Sequence, residues 1–272
     1  MNHHASAPTP VPVLDAEAAN WHCIDFCSDL HLHADDPDTL AAFGQYLRRS
    51  TAQAIFILGD LFEIWIGDDA LDDENSGAGQ AARACAAMLF EASQSRSIHL
   101  LPGNRDFLFG AQAARRCGLT LLSDPTRLDL PGQRVMLSHG DALCLDDVAY
   151  QRFRAQVRSP AWQQDFLAQP LAARWQQGRA MRATSTATQR ALHEYPDVDP
   201  DAARTLLQSA DATLLVHGHT HRPAAHALGA KASGTSLERY VLSDWDANAQ
   251  PPRLEILRWQ LGRWQRLPAL QA

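Results

Sequence analysis

Five short segments of this 272-residue chain carry side chains suited to binding divalent metal, and each closes an apolar, strand-like run. They are Ser28-Asp29-Leu30-His31, Gly59-Asp60-Leu61-Phe62-Glu63, Gly103-Asn104-Arg105-Asp106, Ser138-His139-Gly140-Asp141 and His217-Gly218-His219-Thr220-His221. Singly, none is specific: a Gly-Asp after a strand is common, and a lone histidine there is more often structural. Strand ends of an α/β sheet converge on one edge, so together the five loops bring at least three His, two Asp and an Asn toward one centre. Mixed imidazole and carboxylate donors suit Mn, Fe or Zn, while the lack of thiolates argues against a structural zinc site. An Asp between two ions bridges them, the arrangement used for hydrolysis of phosphate esters. Gly59, Gly103, Gly140 and Gly218 suit the tight turns and close backbone approach that such loops need.

The elements that must position these residues alternate along the chain. Strand-like runs cover His22–Cys27, Ala54–Leu58, Ser97–Leu101, Arg134–Leu137 and Ala212–Val216, and helix-like stretches cover Asp38–Arg49, Gly79–Ser95 and Gly110–Cys117. Such alternation predicts a layered α/β domain with site loops after the strands. Thr126–Leu137, centred on Pro131-Gly132, reads as a hairpin, and strand patterns return at Tyr240–Ser243, Arg253–Gln260 and Arg263–Leu267. The core is thus expected over 21–147 and 193–272, after a disordered tail over 1–20. Residues 148–192 differ: they are helix-biased and carry seven arginines against one acid, interleaved with Phe153, Val157, Trp162, Phe166, Leu171 and Trp175. They read either as amphipathic helices packed on the core or as a cap over a site for an anionic, partly apolar substrate at a membrane surface.

Composition removes several alternatives. A net charge of −7 excludes a general nucleic-acid coat. The single lysine, Lys231, lacks the glycine frame of a phosphate-binding loop. Five scattered cysteines without a CxxC pair fit reduced thiols rather than a disulfide framework. No run of 18 apolar residues exists to span a membrane.

In this order the five segments resemble the calcineurin-like binuclear metallophosphoesterases, whose signature is DxH, GD, GNH[DE], a His segment and GHxH. The resemblance covers about residues 23–222 and implies a four-layer α/β/β/α sandwich. Carried over, one ion is held by Asp29, His31, Asp60 and His221, and the second by Asp60, Asn104, His139 and His219, with Asp60 as the bridge. His33 and His217 have no role in that pattern and read as structural or supporting residues.

The third motif departs from the pattern, because Arg105 replaces its histidine. With a pKa above about 12, arginine cannot donate a proton to a poor leaving group. It clamps phosphate in a fork and stabilises developing charge, which suits a diphosphate linkage whose leaving group is already a stable anion. With GDLFEIWIGDD (Gly59–Asp69), SHGDALCLDD (Ser138–Asp147) and HGHTHRP (His217–Pro223), this motif is similar to that of the UDP-2,3-diacylglucosamine diphosphatases of lipid A biosynthesis.

That resemblance implies two Mn2+ ions and attack by a metal-bound hydroxide on the phosphorus next to uridine. The products would be UMP and 2,3-diacylglucosamine 1-phosphate, with catalysis resting on Asp60, Asn104, Arg105 and His139. It also implies a peripheral enzyme on the cytoplasmic face of the bacterial inner membrane, a cap that houses two acyl chains, and no nucleic-acid partner. Substrate contacts carry over to Asn104, Arg105, Asp147, Arg182, Ser185 and His219. Where the family has Asn and Lys just beyond that serine, this chain has Gln189 and Arg190. A soluble nucleotide diphosphate or a phosphoprotein is the alternative substrate, and a non-catalytic scaffold the alternative class.

Overall fold

The computed structural model describes residues 11–191 and 196–272, and the side chains of those residues except 186–191. Two six-stranded sheets form the centre. In the first, β2 (Cys23–Cys27), β3 (Ala54–Ile57), β4 (Ser97–Leu100) and β5 (Thr120–Leu121) run parallel, and β11 (Glu255–Gln260) and β12 (Arg263–Pro268) extend the other edge antiparallel. The second has the order β1 (Val13–Asp15), β6 (Thr126–Leu130), β7 (Gln133–Ser138), β8 (Leu214–His217), β10 (Ser236–Val241) and β9 (Ala224–Ala230).

Strand alternation assigns each residue to a layer. Ile24, Phe26, Ala54, Phe56 and Leu58 meet Leu128, Val135, Leu137, Leu214 and Val216 in the core between the sheets. The opposite face of the first sheet, with Cys27, Ile55, Ile57 and Leu100, packs on α1 (Pro37–Arg49), α2 (Gly77–Ser93) and α3 (Ala111–Cys117). Met136 and Leu215, on the outer face of the second sheet, pack on Ala203 and Leu207 of α7 (Pro200–Ser209). The result is the expected four-layer α/β/β/α sandwich.

The amino terminus differs from expectation. Within the stretch expected to be a disordered tail, Val13–Asp15 forms β1, paired parallel with β6, and Ala16 is fully buried. Pairing with a strand more than a hundred residues away supplies the order that the Ala/Pro-rich composition does not signal.

Buried polar groups also lie outside the strand-end loops. Asp25 accepts Tyr46 Oη and Ser50 Oγ at 2.9 Å and Arg258 Nε and Nη2 at 2.6 and 2.9 Å, so its charge is fully compensated. His99, by contrast, is stacked on Phe56 at 4.5 Å and edged by Trp21, with no hydrogen-bond partner for either ring nitrogen among the described residues. Burial holds its pKa down to about 4. Between pH 6.5 and 4 the unfolded chain therefore binds the extra proton, and stability falls with falling pH. On the order of 3 kcal/mol is lost across that window through this residue. His99→Phe should accordingly show a smaller drop in melting temperature from pH 7 to pH 5 than the parent; an equal drop would refute the assignment.

Between β7 and α7 run α4 (Val148–Val157), α5 (Pro160–Leu167) and α6 (Leu171–Ala191). Ser159 caps α5 through Trp162 N, and Pro160 occupies its first turn. Val157, Phe166 and Trp175 are buried, whereas Val148, Phe153 and Leu167 remain exposed.

Candidate metal centre

The five loops leave the carboxyl ends of β2, β3, β4, β7 and β8, so parallel pairing within each sheet brings them to one end of the sandwich. Two glycines make the approach possible. A Cβ on Gly59, which has φ +91°, would lie 2.4 Å from His139 Nδ1, and one on Gly103 would lie 2.2 Å from Asp60 Oδ1. Of the eight non-glycine residues with positive φ among those described, five are Asp29, His31, Asp60, His219 and His221. Strained left-handed backbone is thus concentrated on the side chains expected to bind metal.

Ligand atoms of Asp29, His31 and His221 lie within 4.8 Å of one another, as do those of Asp29, Asp60 and His139. His31 Nε2 and His221 Nε2 face each other at 3.3 Å. Buried Asp29 Oδ1 is 3.2 Å from His221 Nε2 but lacks hydrogen-bond geometry. Asn104 Oδ1 lies 2.8 Å from both His139 Nε2 and His219 Nδ1. His139 Nδ1 donates to Leu58 O at 2.9 Å, which points Nε2 toward that same place. Converging lone pairs with few hydrogens between them are what a cation satisfies, so these residues fit a divalent metal. Asp29 belongs to both clusters, while Asp60 Oδ1 is 3.6 Å from His139 Nε2.

The electrostatics agree. Burial opposes ionisation of Asp29, yet the imidazoles of His221, His139 and His31 hold its carboxyl well below the usual range. Burial likewise opposes charge on His139, but Asp60, Asp29 and Asp141 lift it to about 9. His219, dominated by burial and then by His139, is held down to about 4. A divalent cation placed here would meet the carboxylates of Asp29 and Asp60.

Three residues inside the quoted motifs, without an assigned role from sequence, organise the centre. Buried Asp106 accepts the backbone N–H groups of Asp60, Leu61 and Gly103, locking two loops together. Burial and the neighbouring Asp60 push its pKa up to about 6. Glu63 lies 3.3 Å from His31 Nδ1 and 3.2 Å from Arg105 Nη1, and pairs with Arg182 of α6. Despite burial, His31, Arg105 and Arg182 draw its pKa down to about 2. Asp141 accepts Arg154 Nε at 2.8 Å and Tyr150 Oη, both from α4.

Arg105 points into the centre: its Nε is 3.2 Å from Asp60 Oδ2, and its backbone N–H donates to Asp60 Oδ1 at 2.9 Å. The basic helices prove to be anchored by their arginines. Arg154 holds Asp141, Arg158 donates to Gly103 O at 2.9 Å, and buried Arg174 forks onto Asp69. Much of the positive charge counted over 148–192 therefore ties those helices to the core. Asp147 caps α4 through Tyr150 N, and Ser185 is exposed on α6; neither hydrogen-bonds to the ligand cluster. The side chains of Gln189 and Arg190 lie outside the described residues. His33 Nδ1 accepts Asp35 N–H in a turn, and His217 is fully buried beneath the ligand loop.

The model of the calcineurin-like phosphoesterase family matches residues 24–223. The chain belongs to that family. Among curated proteins, this phosphoesterase is 45% identical to the UDP-2,3-diacylglucosamine hydrolase of Aromatoleum aromaticum, over 86% of its own length and 91% of the relative's. It is 46% identical to the protein of that name from Chromobacterium violaceum, over 82% and 90% of the two chains. It is 42% identical to the one from Stenotrophomonas maltophilia, over 87% and 96%. Every loop that bears a candidate ligand falls within the family match.

Proposed function

We propose that this phosphoesterase hydrolyses UDP-2,3-diacylglucosamine to UMP and 2,3-diacylglucosamine 1-phosphate, as a step in making lipid A. Water adds across the diphosphate: its oxygen bonds to the phosphorus next to uridine, and the bridging oxygen leaves with the sugar phosphate. The observation that carries this reading, beside the relatives' names, is Arg105, whose guanidinium lies against Asp60 where a proton-donating imidazole would serve a poor leaving group. A phosphate leaving group departs as a stable anion and needs no such donor.

Asp29, His31 and His221 would hold one ion and Asn104, His139 and His219 another, with Asp60 shared. The imidazole and carboxylate donors suit Mn2+. When bound, such ions polarise phosphoryl oxygens and lower the pKa of water. The chain's own part is positioning. Arg105 grips the phosphoryl oxygens, Arg182 and Asn104 flank it, and Asp106 keeps the loops of Asp60 and Asn104 in fixed relation.

The helices α4 to α6 act as the cap, with Asp147 and Ser185 on the substrate's path. Exposed Val148, Phe153 and Leu167, with exposed Arg152 and Arg179, support residence on an anionic membrane surface, the cytoplasmic face of the inner membrane. Among the described residues no helix is long and apolar enough to cross that membrane.

Purified protein with Mn2+ should turn over UDP-2,3-diacylglucosamine and leave UDP-N-acetylglucosamine nearly untouched. Vigorous cleavage of p-nitrophenyl phosphate with none of the lipid would overturn the assignment.

A further inference from the structure

The loop that bears His219 and His221 contains a strained turn. Thr220 N–H donates to Gly218 O at 2.8 Å, two residues back, around His219 at φ +68°. This is a γ-turn of the rarer hand, which persists only where its surroundings over-determine it. Two of those constraints belong to the metal centre itself: His219 N–H donates to Asp29 Oδ2 at 2.9 Å, and Gly218 N–H to His139 O at 3.0 Å. The third does not. Gly218 O accepts a second hydrogen bond, from His217 Nδ1 at 2.9 Å.

His217 is fully buried, and its other nitrogen, Nε2, is 3.4 Å from Arg239 Nη1. A guanidinium only donates, so Nε2 is the acceptor and Nδ1 carries the proton; the neighbours fix the tautomer. Arg239, buried on β10, is held in turn by a fork onto Asp197, at 2.9 and 2.7 Å. Asp197 lies between α6 and α7, in the segment by which the chain returns from the cap to the core.

We propose that Asp197, Arg239 and His217 form a positioning relay that holds the Gly218 carbonyl, and through it the strained turn presenting His219 and His221 to metal. The relay links the return segment of the cap to the metal centre, and none of its members is among the residues read as ligands. The inference rests on the reading of His219 and His221 as ligands, and the controls below separate the two.

Metal-stripped protein is titrated with Mn2+ by calorimetry, and folding is followed by thermal unfolding in EDTA. Arg239→Ala and Asp197→Ala should stay folded yet bind Mn2+ about 10- to 100-fold more weakly, the range seen when partners of metal ligands are removed. Turnover should recover to within a few-fold at saturating Mn2+, and millimolar guanidinium should partly restore affinity to Arg239→Ala. Asp197→Asn, a milder change, serves if either alanine variant fails to fold and should also weaken binding. Folded variants that bind Mn2+ within twofold of the parent, whatever their melting temperature, would overturn the relay. His221→Ala is the control: if it too binds like the parent, the ligand reading fails instead.

Discussion

Asp60→Ala should abolish hydrolysis of UDP-2,3-diacylglucosamine. The Asp60 carboxylate is 2% exposed, faces His139 Nε2 at 3.6 Å and pairs with Arg105 Nε at 3.2 Å. Removing it takes away the ligand assigned to both ions and leaves a nearly buried guanidinium without that partner. Several kcal/mol of transition-state stabilisation depend on the metal centre, so turnover should fall on the order of 10^3-fold or more. Bound manganese, measured by elemental analysis of the same sample, should fall with it. His139→Ala should behave likewise, because Asn104 Oδ1 and the Asp60 carboxylate both lose the imidazole they face. Turnover within tenfold of the parent in either variant would mean that these are not ligands.

Arg105→Ala should lower turnover by about 10^2- to 10^3-fold while manganese content stays at the parental level. Its guanidinium approaches Asp60 and Glu63 but sits outside the imidazole and carboxylate donor set, since guanidinium has no lone pair to give a metal. Arg105→Lys retains the charge and loses the fork, so it should recover only part of the deficit. Were metal content to collapse in Arg105→Ala, the residue would be holding the centre together rather than gripping the diphosphate.

The metal site is the most legible part of this sequence, for a physical reason. Metal ions demand particular donor atoms, and parallel strands deliver them at their carboxyl ends, so Asp29, His31, Asp60, Asn104, His139, His219 and His221, unspecific one by one, stand out through their order and shared position after strand-like runs. Glu63, Asp106 and Asp141 do not. Their partners are fixed by tertiary contact, as with Arg182, 119 residues from Glu63, and no local spacing encodes that.

Arginine content over 148–192 has the same limit. A charge count cannot tell Arg174, spent on Asp69 and the Ile66 carbonyl, from an arginine that meets substrate. Within the fold, the buried runs of β2, β3, β4 and β8 are evident from composition. The three-residue β1 and the small-residue β9, AAHALGA, carry almost no β signal and exist because a neighbouring strand pairs with them.

The most direct measurement is hydrolysis of UDP-2,3-diacylglucosamine in water enriched in heavy oxygen, with mass analysis of both products. Attack at the phosphorus next to uridine, as the family resemblance implies, predicts that the label enters UMP while the sugar phosphate leaves with the bridging oxygen. Label in 2,3-diacylglucosamine 1-phosphate, or no turnover by manganese-loaded protein, would contradict the assignment.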